Sequence, residues 1–483
     1  MNRSHMLSCL ILAGTLVLHS LAVAQQPLDR TGRPRLGPTP EVHLPKIQRA
    51  ELPNGLRVWL VENHKLPVIA CNLVLFAGSE RDPLNTPGLA SLTASMLQEG
   101  TKSRTSLQIA DEIDGIGASM RVFLQSDFVS VSLDCLTKHL DAALDVYADV
   151  LTHATFPEKE FVRVKNERLT SLLQQKDRPP VIAAVAFSRI LYGANHPYGN
   201  DVSGTEQSVK ALTRDDLVKF HQTYYRPNSA TLIVYGDVSM EIMLPKITSM
   251  FASWQKADVP AVGSFPTPQV DARKVYLIDK PGAPQSEIRI GFPALARTTP
   301  DFFPVNLMNM ILGGQFSSRL NSNIRERRGF SYGVRSGFQF TRLPGPFVAS
   351  GGVHTAKTDS SLQEFLREID LMREKGLTTE ELEFAKNRTK GVFATGFESP
   401  QQIAAALVNL VVYTLPDDYF VNYLKNVDAV TLADVQRVAH QYLDTSKMAM
   451  VVVGDTKVIR SGIEQMKFGP IVIADVNGNP VGK

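Results

Sequence analysis

The sequence predicts an α+β fold made of two tandem copies of one module, and three observations carry that prediction. Laying Leu212–Asp237 over Val430–Asp455 at a constant offset of 218 aligns Thr213 with Thr431, Asp216 with Asp434, Tyr224 with Tyr442 and Gly236-Asp237 with Gly454-Asp455, without a gap. Strand-like and helix-like runs are mixed, without the regular alternation of a doubly wound sheet. Between the two copies, residues Lys256–Lys274 carry Pro260, Gly263, Pro266 and Pro268, which interrupt every periodic pattern and mark an inter-domain linker, 256–274. A chain of 483 residues exceeds a single hydrophobic core, and 43% hydrophobic with 20% charged residues excludes disordered and fibrous classes.

From the N-terminus, residues 1–24 read as a signal peptide. Arg3 precedes an apolar run from Leu7 to Leu18, and Ala22-Val23-Ala24 places small residues at a cleavage site near Ala24. Cys9 precedes most of that run instead of following it, which argues against a lipoprotein box. Residues 25–45 are rich in Pro and polar groups and read as an extended arm. The expected location is periplasmic or secreted.

The first domain, 46–255, opens with strand patterns at Leu56–Glu62 and Ala70–Ala77 and continues with strands at Met120–Leu124 and Val129–Cys135. Helical periodicity occupies Leu89–Leu97, Ser106–Ile116, Lys138–His153, Pro157–Gln175 and Pro180–Tyr192. In the repeated segment, Thr213 and Thr431 each stand as N-cap before an amphipathic helix, which leads through a polar turn to an apolar strand ending in Gly-Asp. The second domain, 275–470, contains an amphipathic helix at Leu362–Lys375, with Leu362, Phe365, Leu366 and Ile369 on its apolar side. The apolar stretch Ile403–Leu415 contains Asn409, is too short to span a bilayer and reads as a buried helix. Residues 471–483 read as a C-terminal tail.

Two of the three cysteines, Cys71 and Cys135, follow the cleavage site, both in strand-like runs. An oxidising compartment permits a disulfide between them, and two buried thiols are the simpler reading. A formal charge of +3 is close to neutral for this length, and basic residues are dispersed apart from Arg325-Glu326-Arg327-Arg328. Nucleic acid is not an expected partner. The ten histidines include no two within four residues of each other, so the helical His pair common in zinc sites is missing and no metal is expected in this chain.

The segment Gly88-Leu89-Ala90-Ser91-Leu92-Thr93-Ala94-Ser95-Met96, ending in Gly100-Thr101, resembles the zinc helix of the pitrilysin/insulinase metallopeptidase family. There an H-x-x-E-H run sets two histidines on one helical face beside a general-base Glu. Here the His positions are Ser91 and Ser95 and the Glu position is Ala94, so the motif is absent. The family's third ligand, a Glu, would fall at about Ser171 or Leu172, and neither can serve; Glu167 nearby reads as a solvated helix residue. The resemblance extends through Leu52-Pro53-Asn54-Gly55-Leu56, His196-Pro197-Tyr198-Gly199 and Tyr224-Tyr225-Arg226-Pro227-Asn228, in order and spacing. It implies two α/β-roll domains, the processing-peptidase-like fold, closing as a clamshell around a chamber.

In the second half, Gly313-Gly314-Gln315-Phe316 and Arg325 to Tyr332 resemble the family's Arg/Tyr segment, in which the two residues, seven apart, face the zinc site. Arg325 should end a helix, Gly329 turn the chain and Tyr332 start a strand. By residue type alone the pair reads as a surface ion pair and a strand aromatic; the matching register on both sides turns the reading to substrate binding. A guanidinium and a phenol can hold a peptide carbonyl and donate to the oxyanion formed when water attacks it. Phe316, Phe330 and Phe338 stay unassigned between core and groove.

Some family members work as pairs in which one chain has lost the zinc helix. The resemblance therefore implies a non-zinc subunit of an exported heterodimeric peptidase, inactive alone, whose zinc-bearing homologous partner holds the metal while Arg325 and Tyr332 bind the peptide substrate. The alternative is a structural or chaperone-like homologue that keeps the chamber for binding peptides.

Overall fold

The computed structural model describes residues 46–481. The signal peptide and the arm read from the sequence lie outside the described residues. Twelve strands among these residues form two six-stranded sheets. The first contains β1 (Gln48–Glu51), β2 (Arg57–Glu62), β3 (Val68–Leu75), β4 (Ser119–Leu124), β5 (Val129–Leu136) and β6 (Ala230–Gly236). The second contains β7 (Lys274–Asp279), β8 (Gln285–Leu295), β9 (Ser331–Phe338), β10 (Gly345–His354), β11 (Ala449–Gly454) and β12 (Ile471–Ile473).

Their strand orders are β1-β2-β6-β3-β5-β4 and β12-β7-β11-β8-β10-β9. Beyond the first edge strand, the second order repeats the first with each strand number raised by five. In each sheet the strand that ends the repeat lies parallel to the long strand that opens the module, β6 on β2 and β11 on β7. The repeat seen in the sequence thus has its counterpart in the ladders. Both copies of its helix begin with a capping box, Thr213 with Asp216 and Thr431 with Asp434, which satisfies two of the backbone N–H groups a helix end leaves over.

The linker runs from Lys256 to Arg273 without helix or strand. It separates the sheets but not the helices. One face of each sheet packs on helices of its own half. The other face of the first sheet, with Val61, Val74 and Ile233, is covered by Ile403, Leu407 and Val411 of the Pro400–Val412 helix. Reciprocally, the Pro179–Tyr192 helix lays Ile182, Ala186 and Phe187 on Ile278, Val348, Val451 and Val453 of the second sheet. The Phe187 ring lies over Gly291, where a Cβ would sit 3.1 Å from its tip and 1.9 Å from the Phe347 carbonyl oxygen. These helices read as apolar because each is buried on a sheet face of the other half.

The tail reading of residues 471–483 needs correction. Ile471–Ile473 pair in parallel with β7 and extend the second sheet, an apolar run taking an edge that would otherwise lie open. Cys71 and Cys135 are buried, free thiols on neighbouring strands; their registers place Cys71 opposite Leu133 and Cys135 opposite Ile69, so they are not directly paired.

The halves also meet at the tips of equivalent hairpins. Asp127, between β4 and β5, accepts from the Arg342 backbone N–H, between β9 and β10, at 2.8 Å and from the Tyr198 hydroxyl at 2.5 Å. Arg342 reaches on to Glu80 at 2.9 Å, and Tyr192 donates to the Pro344 carbonyl at 2.9 Å. Burial pushes the Glu80 carboxyl up to about 7, against the pull of Arg342, and raises that of Asp127 as well. The His196-Pro197-Tyr198-Gly199 loop thus serves to tie the two halves together.

Candidate functional site

Two regions correspond to the residues singled out in the sequence. The first is the Leu89–Ser95 helix, which follows Gly88 in a left-handed conformation, φ +95°. Asp82 closes its N-terminus, accepting from the backbone N–H groups of Gly88 at 2.8 Å and Ala90 at 2.7 Å. Ser91 is buried and Ser95 is exposed on the same face, and the Ser95 hydroxyl bonds back to the Ser91 carbonyl at 3.0 Å.

Between these serines stands Arg168, from the Glu158–Gln175 helix. Its Nη1 donates to Ser91 Oγ at 2.8 Å and to the Ser203 carbonyl at 3.3 Å, and its Nη2 donates to Ser95 Oγ at 3.2 Å. A guanidinium therefore bridges the two helices that zinc ligands would bridge in a metal-binding relative. Neutral hydroxyls around a fixed positive charge do not fit a dication. Among the described residues no group of three or more His, Cys, Asp or Glu side chains could hold a metal ion. Glu167 points elsewhere, accepting from Arg163 at 2.9 Å on the helix surface.

Arg168 is a residue that sequence reasoning missed, because the family's ligand at this place is a carboxylate and Arg168 carries the opposite charge. Its signal was available, since residue 168 lies one helical turn before that position and so on the same face.

The second region is built by the Ser322–Arg327 turn. Arg328 N–H bonds to the Asn323 carbonyl at 3.0 Å, a π-type step that widens the last turn of the helix. Asn323, buried, donates to Glu364 at 2.6 Å and Glu368 at 2.9 Å and pins the turn from below. Gly329 then reverses the chain at φ +65°, a left-handed value suited to glycine, and Tyr332 is the second residue of β9. The expected sequence of helix end, turn and strand start is the one observed.

Arg325 and Tyr332 come together on one open groove of about 530 Å³. Its other walls include Phe316, Glu287, Arg335 and the backbone of Gly313, Gly314, Gly333, Gly351 and Gly352, and Pro180 closes it from the first half of the chain. Such a glycine-lined wall lets an extended main chain approach closely. Arg325 lies over the exposed Phe316 ring at 4.4 Å, and its ion pair is with the adjacent Glu326 at 3.3 Å, a surface pair of little energy. Tyr332 is 78% exposed. Of the three unassigned phenylalanines, Phe316 belongs to the groove, whereas Phe330 and Phe338 pack against the second core. Within the groove, burial raises the Glu287 carboxyl, with Arg289 and Arg335 acting against it.

Comparison with known proteins places the chain. Residues 57–205 match the model of the insulinase family, peptidase family M16, and residues 211–389 match that of the peptidase M16 inactive domain. The chain belongs to the insulinase family. Among its relatives is an uncharacterized zinc protease, YmxG, of Bacillus subtilis (strain 168), 27% identical over 73% of this chain and 85% of that protein. Another, of Helicobacter pylori (strain ATCC 700392 / 26695), is described as the non-peptidase homolog YmxG; it is 24% identical over 85% of this chain and 94% of its own length. The crystal structure of a peptidase M16 inactive domain from Pseudomonas fluorescens superposes with a TM-score of 0.80 at 29% identity, covering 85% of this chain and 98% of that one. This insulinase-family chain lacks the H-x-x-E-H ligands and carries Arg168 between the positions they would occupy. Among the described residues no helix is long and apolar enough to cross a membrane.

Proposed function

We propose that this chain is the non-zinc subunit of an exported heterodimeric insulinase-family metallopeptidase. Its task is to hold an extended peptide with Arg325 and Tyr332 and to stabilise the oxyanion that forms during cleavage, while a zinc-bearing homologous partner activates the attacking water. The observation that carries this reading is the contrast between the two regions. The Arg325/Tyr332 groove is open, with its donors available to a ligand, whereas the zinc-helix positions are occupied by the chain's own guanidinium. The Helicobacter relative described as a non-peptidase homolog supports inactivity of the chain on its own.

The purified chain should therefore cleave no peptide by itself. Mixing it with a zinc-bearing, exported homologue from the same cell should restore turnover, and N-terminal sequencing of the mature protein from the periplasm should begin near Gln25. Stable association without cleavage by any such partner would point instead to a structural or peptide-binding chaperone-like homologue.

A further inference from the structure

We propose that the Arg168 cluster, where the zinc helix has lost its ligands, is a carboxylate-binding site for peptides. A guanidinium has five N–H donors. Three bonds are accounted for, to Ser91, Ser203 and Ser95, which leaves Nε–H and one Nη2–H without a partner among the described residues. Nε and Nη2 form one edge of the fork that matches the two oxygens of a carboxylate.

The charge balance points the same way. Arg168 makes no ion pair among the described residues, and burial lowers its pKa, with the Asp201 charge opposing. Asp201 is itself raised by burial and is engaged with the Ser203 backbone N–H at 2.7 Å. A half-buried cation without a contacting anion is costly, and an incoming carboxylate would remove that cost. The site offers one positive charge. Arg163, on the same helix, is held by Glu160, Glu167 and Glu99, and Lys165 donates to the carbonyls of Lys210 and Leu212 at 2.8 and 2.7 Å. A single fork suits a monoanion better than a phosphate dianion. The Ser91 hydroxyl, which accepts from Arg168, has a proton to donate to the same ligand.

This inference shares with the reading above only the peptide as ligand; it needs neither a partner subunit nor Arg325. Calorimetric titration of the purified chain with three N-acetylated hexapeptides of the same apolar sequence tests it: a free C-terminal acid, the neutral C-terminal amide, and an amide with one internal Glu. The acid should bind about 10- to 100-fold tighter than the neutral amide, the size of a charge-assisted pair. Equal gain from the Glu-containing amide identifies a side-chain carboxylate as the ligand, and gain from the acid alone identifies the chain terminus. Arg168→Gln should abolish the preference and Arg168→Lys, which keeps the charge and loses the fork, should reduce it several-fold, roughly. Ser95→Ala, expected to fold normally, should weaken it about threefold. Three peptides that bind within twofold of one another, no binding by any of them, or full preference retained in Arg168→Lys would each overturn the proposal.

Discussion

The Leu89–Ser95 helix and the Ser322–Arg327 turn occupy the two halves of one duplicated architecture and have diverged in opposite directions. In the first, the positions of the lost ligands are filled from within the chain: Arg168 holds Ser91 and Ser95, and Asp82 caps the helix. In the second, buried Asn323, Glu364 and Glu368 fix the scaffold, and Arg325 and Tyr332 are left facing an open groove. Loss of a metal site tends to be repaired, because buried polar groups without partners are costly. A ligand-binding site has to remain unrepaired. The contrast separates a region closed to a metal, with one edge of Arg168 left free, from a groove still held open along its length.

That comparison requires the halves to behave as one body, and the exchanged helices supply the sharpest test. Phe187, 2% exposed, comes from the first half and packs on the second sheet. Phe187→Ala should cost about 3–5 kcal/mol, typical of a buried phenylalanine. Unfolding followed by a probe in each half should move together. If only one half shifts, the exchanged helices do not couple them.

Next in size is the open region itself. Arg325→Ala in the reconstituted complex should lower kcat about 100- to 1,000-fold, the range for losing an oxyanion donor, with Tyr332→Phe in the same direction. Neither residue is buried, so melting temperatures should stay within about 2 °C of the parent. Unchanged turnover in both variants would make the groove a bystander.

The sequence carried the repeat clearly because its signals are local: a capping Thr, an Asp three residues on, and a Gly-Asp after an apolar strand. It carried the helix–turn–strand order around Arg325 for the same reason. It did not carry the exchange of helices, since Pro179–Tyr192 and Pro400–Val412 show only that they bury apolar faces and not which sheet receives them. It carried the position of Arg168, one helical turn before Ser171, but not its partners, which are two serines 77 and 73 residues earlier in the chain. The strand at Ile471–Ile473 escaped notice because three apolar residues near a terminus carry no periodicity.

A smaller effect tests the seam that keeps the groove in register. Burial holds both Glu80 and Asp82 up to about 7, so the folded chain binds protons there that the unfolded chain has already released above about pH 4.5. The stability linked to these protons is present in acid and is lost as the pH rises through about 7. Glu80→Gln, which keeps the shape and removes the ionisation, should flatten the fall between pH 5 and 8 by on the order of 1–3 kcal/mol, measured by urea unfolding at a series of pH values. A parent protein whose stability rises over that interval would show that the Arg342 pairing outweighs burial.

The smallest effect probes the closed region. Ser95→Ala removes one hydroxyl bonded to Arg168 and to the Ser91 carbonyl, at an exposed position. It should cost under about 1 kcal/mol, since water can replace both bonds. Its value lies in what it leaves unchanged. With a C-terminally amidated substrate that carries no acidic residue, turnover of the reconstituted complex should stay within about twofold of the parent while Arg325→Ala abolishes most of it. Restoring ligands points the same way: Ser91→His, Ala94→Glu and Ser95→His together should bind no zinc while Arg168 still projects its charge between the new imidazoles. Zinc uptake by that triple variant would mean that the guanidinium swings aside at little cost, and the first region would then be vacant, not closed.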